Sequence, residues 1–384
     1  MTLRAAAKSG DDGPIAAAIS AASELIVDAG KEQKDKTDAL LQELVVAATG
    51  PFGLHQCAWA LDRSKEFSAD LVAEILEALV KVDLENKGTI EIVDVNLAKM
   101  IGLGMGAQVA SFVTRFGAAN PSDFQITSLD SVIRAFNKQS PKELDDLLVG
   151  WLLDGNSSLC HQLGDLLEKE ELEGKRRDID FAMFSLSDAD FGYLARKAVG
   201  YLFMQPVTSA SIVFSLCRFA PESELREMEE LLFNPLAINY LSVSERLVEP
   251  ISKDKSDKAR PVAKAVKARV DEYLRGLRDS GKIAELHPSE RQRQAEFQRH
   301  SDEMAKVGKA VNDKSVFANL FTKVVVLYGN RSVSYHRIGK EEPRRIEAEM
   351  HPHGVSIEIP RVELIDPVGL QQQLLSFRTE RRQR

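Results

Sequence analysis

Residues 81–94, with the sequence KVDLENKGTIEIVD, place oxygen-bearing side chains at the spacing of a calcium-binding loop. If Asp83 takes the first position, Glu85 takes the third, a glycine the sixth and Asp94 the twelfth. An EF-hand holds Ca²⁺ with ligands at such positions, in a loop between two helices. Lys87 falls at the fifth position, where a ligand is required, and the chain has no second such loop. We therefore favour a junction between packed helices, in which a Lys-Gly turn leads into an extended TIEIVDV segment.

Three of the seven histidines lie near the end of the sequence, and imidazole is a common zinc ligand. In extended backbone His351 and His353 lie on one side, and Pro352 favours extension at the residue before it. Together with His336 they form a candidate metal site. The alternative is that HPHG is an ordinary loop before a strand, and we assign no cofactor to the chain.

The stretch IGLGMGAQVA carries three glycines at alternate positions, Gly102, Gly104 and Gly106. A dinucleotide-binding fingerprint needs its third glycine three places after the second, and a βαβ unit around it. Helical patterns surround this stretch instead, so we interpret it as a junction between helices.

The three cysteines, Cys57, Cys160 and Cys217, are far apart, and none belongs to a CxxC motif. An odd number of widely spaced cysteines is typical of a reducing compartment, so we expect the cytoplasm. Free cysteine behaves as a small apolar residue, which predicts a core position for each. The sequence contains no GxSxG or HExxH motif, so an enzyme would need dispersed catalytic residues.

The helix predicted to start at Pro261 has an apolar side and a basic side. The basic side, called the basic stripe below, consists of Arg260, Lys264, Lys267, Arg275 and Arg278. Such a stripe suits an acidic partner protein or the phosphates of a nucleic acid. The alternatives are a solvated face or pairing with the chain's own acidic helices. Base-stacking aromatic residues do not accompany the stripe, which disfavours single-stranded nucleic acid.

The elements that must position these residues are mainly helices. Apolar residues recur at spacings of three and four from Pro14 to about Pro250, and prolines mark several corners between the segments. In residues 187–250, Ser187 with Asp190 predicts a capped helix start, followed by three further short helices. The pattern predicts either an irregular helical-repeat stack, which resembles HEAT and armadillo arrays in architecture only, or a single irregular multi-helix bundle.

The last part of the chain changes in character. Alternating residues on both sides of Gly329-Asn330 predict a β-hairpin, with Val326 opposite Val333. A third strand is expected at residues 355–360, and Asp366 is expected to cap a closing helix. The resulting prediction is a mainly α protein with four regions: an acidic helical region 1–180, a repeat-like region 181–250, a charged region 251–320 and a β-β-β-α module 321–384.

Charge divides the chain more sharply than its formal net charge of −8 suggests. Residues 251–384 carry 27 basic and 19 acidic side chains, whereas residues 1–250 carry 23 basic and 39 acidic ones. Such a division favours electrostatically guided association with other proteins. No apolar run is long enough to span a membrane.

The absence of a catalytic motif and the helical pattern together favour a non-catalytic scaffold, adaptor or regulatory subunit. The first alternative is a nucleic-acid-associated protein that uses the helix at residues 260–278. The second is an enzyme with dispersed residues near His336, His351 and His353. The oligomeric state is not predicted by the sequence.

Overall fold

The computed structural model describes residues 3–26, 30–283, 289–314, 323–328, 331–336, 344–349 and 366–382. These residues are mainly α-helical, which confirms the predicted class. The α-helices are α1 (Leu3–Ser9), α2 (Asp12–Leu25), α3 (Lys31–Ala47), α4 (Pro51–Ala60), α5 (Ala69–Leu79), α6 (Lys87–Gly102), α7 (Gly106–Ala119), α8 (Asp130–Gln139), α9 (Pro141–Asp154), α10 (Ser157–His161), α11 (Leu163–Glu173), α12 (Asp188–Leu202), α13 (Pro206–Cys217), α14 (Glu222–Leu231), α15 (Leu241–Val243), α16 (Glu249–Lys253), α17 (Arg260–Ser280), α18 (Glu290–Lys314) and α19 (Pro367–Thr379).

Short segments of tighter or wider helix join several of these elements. They lie at Leu61–Glu66, Ile126–Leu129, Phe181–Met183, Leu232–Ala237 and Ser244–Val248. Asn234 has extended torsion angles (φ −128°, ψ 114°) and interrupts the helical path before Pro235, where the sequence predicts a break. The break allows the short helices of residues 187–250 to pack on one another.

Local signals in the sequence account for many helix starts. Ser68 accepts a hydrogen bond from the Leu71 amide at the start of α5, and the capping box predicted for Ser187 and Asp190 is present at the start of α12. Proline occupies the first turn of α4, α9 and α13, where its missing amide proton costs nothing.

One segment departs from the sequence-based interpretation. Residues 89–95 were expected to be extended, and instead lie within α6. The Asn86 side chain accepts a hydrogen bond from the Thr89 amide at 3.3 Å and so caps the helix. Ile90, Val93 and Leu97 are all buried at helical spacing. Burial of this apolar stripe outweighs the modest preference of β-branched residues for strands.

The described residues form two compact units, Met1–Val270 with Pro360–Arg384, and Asp271–Ile359. In the first unit α12 is the central helix and packs against α9, α11, α13, α14 and α19. Helix α19 therefore belongs with the helical unit in the structure, although the sequence pattern grouped it with the strands. The reason is that Leu370 and Leu374 are buried and the helix packs against α12.

The second unit contains a three-stranded antiparallel sheet in the order β1 (Lys323–Tyr328), β2 (Arg331–His336), β3 (Arg344–Glu349). Val326 lies opposite Val333, and Val324 lies opposite Tyr335. The strand expected at residues 355–360 lies outside the described residues. Within the described part of the chain, no helix is both long and apolar enough to cross a membrane.

Candidate functional site

The residues of the candidate calcium loop make other contacts in the structure. Asp83 accepts a hydrogen bond from the Glu85 amide at 2.9 Å, which forms a local turn before α6. From Lys87 onward the chain is helical, so the later loop positions do not surround a common centre. Among the described residues, no group of three or more His, Cys, Asp or Glu side chains could hold a metal ion.

Asp94 has a structural partner that the sequence does not reveal. Its carboxylate is buried and accepts hydrogen bonds from the amides of Ser131 at 3.0 Å and Val132 at 2.9 Å. These amides belong to the first turn of α8, where helical amides lack partners within the helix. Asp94 on α6 thus caps α8 from a distance, and its negative charge lies at the positive end of the α8 dipole.

The candidate histidines are only partly described. His336 ends β2, where its backbone lies opposite Lys323 on one side and Arg344 on the other. His351 and His353 lie outside the described residues, so the candidate metal site remains a prediction.

The three alternating glycines lie at a close junction between α6 and α7. Gly104 has φ +83°, a left-handed conformation that glycine adopts most readily. A Cβ at Gly106 would lie 2.9 Å from the Ser140 hydroxyl oxygen, so a side chain would force neighbouring groups apart. A left-handed turn thus accounts for Gly104, and close packing between helices accounts for Gly106.

The three cysteines are buried and free. Burial raises the pKa of each thiol, Cys57, Cys160 and Cys217, to about 12. Because the thiolate is the nucleophilic form, these thiols are poorly suited to covalent catalysis at neutral pH.

The basic stripe is exposed over only part of its length. Lys264, Arg275 and Arg278 are exposed, whereas Lys267 is half-buried. Arg260 is also half-buried and donates to the Ser252 carbonyl oxygen at 3.2 Å. On the opposite side of α17, Val262, Val266 and Val270 are buried as the periodicity predicts.

A residue outside the stripe links α17 to the acidic helices. Arg269 pairs with Glu229 at 3.4 Å and with Glu230 at 2.8 Å. Its guanidinium lies 4.0 Å from the centre of the Phe233 ring, within the range of a cation–π contact. Arg269 thus makes a contact between the basic and the acidic parts of the chain, as the charge division suggests. The exposed cations of the basic stripe, Lys264, Arg275 and Arg278, lie open to solvent.

Helix α18 presents a mixed-charge surface. Its start is fixed by a capping box between Ser289 and Gln292. Each α18 side chain from Glu290 to Lys306 whose exposure the structure describes is exposed. Phe297 is 64% exposed, which is unusual for a large aromatic residue on a polar helix.

The first unit also contains a cavity of about 860 Å³ that the sequence does not predict. The end of α9, helix α10 and α12 form its walls together with the end of α19. Its polar lining includes Ser157, His161, Tyr193, Arg378 and Arg381. Burial and the nearby Arg378 charge lower the pKa of His161, so the imidazole is neutral at neutral pH.

A buried lysine lies beside this cavity. Lys197 has no exposed surface, and its Nζ donates to the Arg378 carbonyl oxygen at 2.6 Å. Its Nζ also lies 5.2 Å from the centre of the Tyr193 ring and 5.9 Å from that of Tyr201. Desolvation lowers the pKa of Lys197. The ammonium group stabilises the carbonyl end of α19, a structural role that fits its burial.

Sequence reasoning missed Lys197 because its partner lies 181 residues away. Its position between the aromatic residues Tyr193 and Tyr201 of α12 is a weak local signal. The arrangement provides charged and aromatic surfaces for association, and no nucleophile–base pair has been identified among the residues that the structure describes. Comparison of the chain with protein-family models, curated proteins and solved structures finds no match.

Proposed function

We propose that this chain is a non-catalytic interaction protein, a scaffold, adaptor or regulatory subunit, that binds a partner protein through the second half of α17 and through α18. The observation that carries the proposal is the exposure of α18. It is a 25-residue helix, and every side chain described from Glu290 to Lys306 is open to solvent. A helix that is polar all round gains little from its own chain, so contact with a partner would stabilise it.

Its chemistry indicates the kind of partner. The ion pair described within α18 joins Arg299 and Glu296 at 3.8 Å, a geometry that contributes little. Arg275 and Arg278 add exposed positive charge on α17. Phe297 supplies an apolar anchor among charged neighbours, and such aromatic residues often dominate the binding energy of an interface. We expect a partner surface with acidic residues around an apolar pocket.

The charge distribution favours protein over nucleic acid. Helix α18 carries six basic and five acidic residues, so its surface does not present a continuous positive field. A polyanion would be repelled by the acidic members, whereas a folded protein surface can match both signs. The nucleic-acid alternative therefore becomes an outcome of the test below.

The proposal extends to the short helices before α17 and to the compartment. The short helices of residues 181–250 would provide the scaffold, in the manner of a helical-repeat stack. The three free, buried cysteines favour a cytoplasmic setting. An enzyme that uses His336, His351 and His353 remains a prediction from the sequence.

The proposal is tested by affinity purification from the native host at low salt, with and without nuclease, followed by binding measurements with purified partner. We expect Phe297→Ala to weaken binding about tenfold or more, as for a central aromatic anchor. The matched control is Phe52→Ala on α4, because Phe52 is 66% exposed and should have no effect.

A second pair of variants tests the charges. Arg275→Glu with Arg278→Glu should weaken binding, and the loss should shrink at high salt. Arg134→Glu with Lys142→Glu changes the same number of exposed charges elsewhere and serves as the control. Recovery of the protein alone would contradict the proposal, and a partner lost only after nuclease treatment would support the nucleic-acid alternative.

A further inference from the structure

The cavity of the first unit is lined by a buried tyrosine whose hydroxyl group has no partner in the protein. Tyr193 on α12 is only 4% exposed and lines the cavity. Its hydroxyl oxygen is close to Gly155, another lining residue, because a Cβ there would lie 2.7 Å from that oxygen. Among the residues that the structure describes, none forms a hydrogen bond with this hydroxyl. Buried tyrosine hydroxyls usually have a partner, so this one is available to a ligand.

The hydroxyl group can act as a hydrogen-bond donor at any physiological pH. Burial is the largest cause that raises the pKa of Tyr193, to about 12. The group therefore keeps its proton, and the ligand atom that it meets should be an acceptor.

Two of the charged residues that line the cavity are already paired. Glu380 accepts from two nitrogens of Arg196 at 2.7 Å each. Arg382 donates to the two carboxylate oxygens of Asp190 at 2.6 and 2.8 Å. Paired contacts of this kind satisfy both charges, so neither Glu380 nor Arg382 is needed for a ligand.

The other lining charges are positive in excess. Arg378 and Arg381 line the cavity, and within the described part of the chain neither pairs with a carboxylate. Arg378 Nε donates to the Gly200 carbonyl oxygen at 2.6 Å, which holds the side chain in place. Asp154, at the exposed end of α9, is the lining carboxylate that faces these two arginines. Two cations against one anion favour a negatively charged ligand.

Lys197 adds a further positive charge beside the cavity wall. A Cβ on Gly155 would lie 3.8 Å from Lys197 Nζ, so the ammonium group lies close behind this lining residue. Its hydrogen-bond partner at 2.6 Å is the neutral Arg378 carbonyl oxygen. Buried charges are usually paired with a charge of opposite sign, and the described residues supply no carboxylate to this one. An anion in the cavity would provide the missing negative charge.

We propose that this cavity binds a small organic anion with a phosphate or carboxylate group, whose oxygens accept from the Tyr193 hydroxyl and pair with Arg378 and Arg381. These three residues are called the anion site below. Both groups match the planar guanidinium of arginine. The volume of about 860 Å³ is that of a small-molecule site, and Leu153 and Leu375 offer apolar surface to the organic part.

The anion site uses no residue of α17 or α18, so it is independent of the proposed partner surface. The test titrates the native full-length chain at low ionic strength with phenyl phosphate and with phenylacetate, and follows binding by ligand-observed NMR. We expect saturable binding of at least one of them with a Kd of about millimolar, as for other ligands of this size. The tighter of the two identifies the anionic group.

Benzyl alcohol carries the same ring without a charge and is the control ligand. It should bind at least about tenfold more weakly than the tighter anion, because it cannot pair with the arginines. Absence of saturable binding by both anions, or equal binding of benzyl alcohol, would overturn the proposal.

The variant Tyr193→Phe distinguishes a ligand-binding role of the hydroxyl from a structural one. The hydroxyl has no protein partner, so its removal should leave the urea midpoint of unfolding unchanged. The same variant should bind the tighter anion about tenfold more weakly, because a hydrogen bond to a charged group is lost. A lowered midpoint with unchanged affinity would show that the hydroxyl serves the fold, and would overturn the proposal.

A second variant tests the charges without touching a buried group. Arg381 is exposed, so Arg381→Glu should keep the native circular dichroism spectrum. We expect it to weaken binding of the tighter anion about tenfold at low salt and less at high salt. The matched control is Arg134→Glu on α8, which reverses an exposed charge that does not line the cavity and should keep the native affinity. Equal weakening by both variants would mean that net charge alone attracts the anion, and would contradict a site at Arg381.

Discussion

Asp94 caps α8 in the structure, whereas the calcium-loop interpretation makes it a metal ligand. Removing its carboxylate distinguishes these two roles. Asp94→Ala removes the acceptor of two first-turn amides of α8, at 3.0 Å and 2.9 Å. Val132 is fully buried, so its amide would lose its partner without access to water, at a cost of about 2 kcal/mol. Ser131 is half-exposed, so its amide can bind water and should cost about 1 kcal/mol or less.

We therefore expect Asp94→Ala to lower the free energy of unfolding by about 2–3 kcal/mol. Asp94→Asn keeps one acceptor oxygen and should lose roughly half as much. The matched control is Asp83→Ala, which changes an exposed aspartate in the same candidate loop and should stay within about 0.5 kcal/mol.

The assay is urea unfolding followed by far-ultraviolet circular dichroism, in buffer with EDTA and in buffer with calcium. The capping role predicts the same loss for Asp94→Ala in both buffers. The reasoning would be refuted if calcium stabilised the native protein and both aspartate variants abolished that stabilisation, because the two residues would then share a cation.

Two further predictions concern the first unit. Gly155 has φ +68°, and a Cβ there would lie 2.7 Å from the Tyr193 hydroxyl oxygen, so Gly155→Ala should destabilise the protein by about 1–3 kcal/mol in urea unfolding. The control is Gly150→Ala in α9, where the glycine is exposed and the added Cβ would have no atom within 4 Å. This variant should stabilise the protein by about 0.5–1 kcal/mol. Equal changes in the free energy of unfolding for the two variants would contradict this account. Hydrogen bonds from Arg382 and from Ser187 hold the pKa of Asp190 at about 2. A lowered carboxylate pKa stabilises the fold above the unfolded value of about 4, and Ser187 keeps part of the shift when Arg382 is removed. The loss caused by Arg382→Ala should therefore be about 1–2 kcal/mol at pH 6 and should disappear as the pH falls through the folded pKa of about 2.

The sequence alone predicted much of the secondary structure. Proline at helix starts, the Ser187–Asp190 box and apolar residues at helical spacing are signals that act within one or two turns, so they can be recognised without a fold. The buried valines of α17 and the core positions of the three cysteines follow from the same local patterns. Where local signals conflicted, at residues 89–95, the preference of β-branched residues for strands suggested extension, and burial against other helices produced α6.

The tertiary structure decided what the charged residues do. Asp94 resembles a calcium ligand in the sequence, yet its donors lie on α8, 37 and 38 residues further along the chain. The carbonyl partner of Lys197 lies 181 residues away, and the arginine partner of Asp190 lies 192 residues away. A charged side chain selects its partner through space, after apolar packing has placed the helices, and sequence spacing carries no information about contacts at such distances. For this reason the sequence predicted the helices, and only the fold showed that α19 packs against α12.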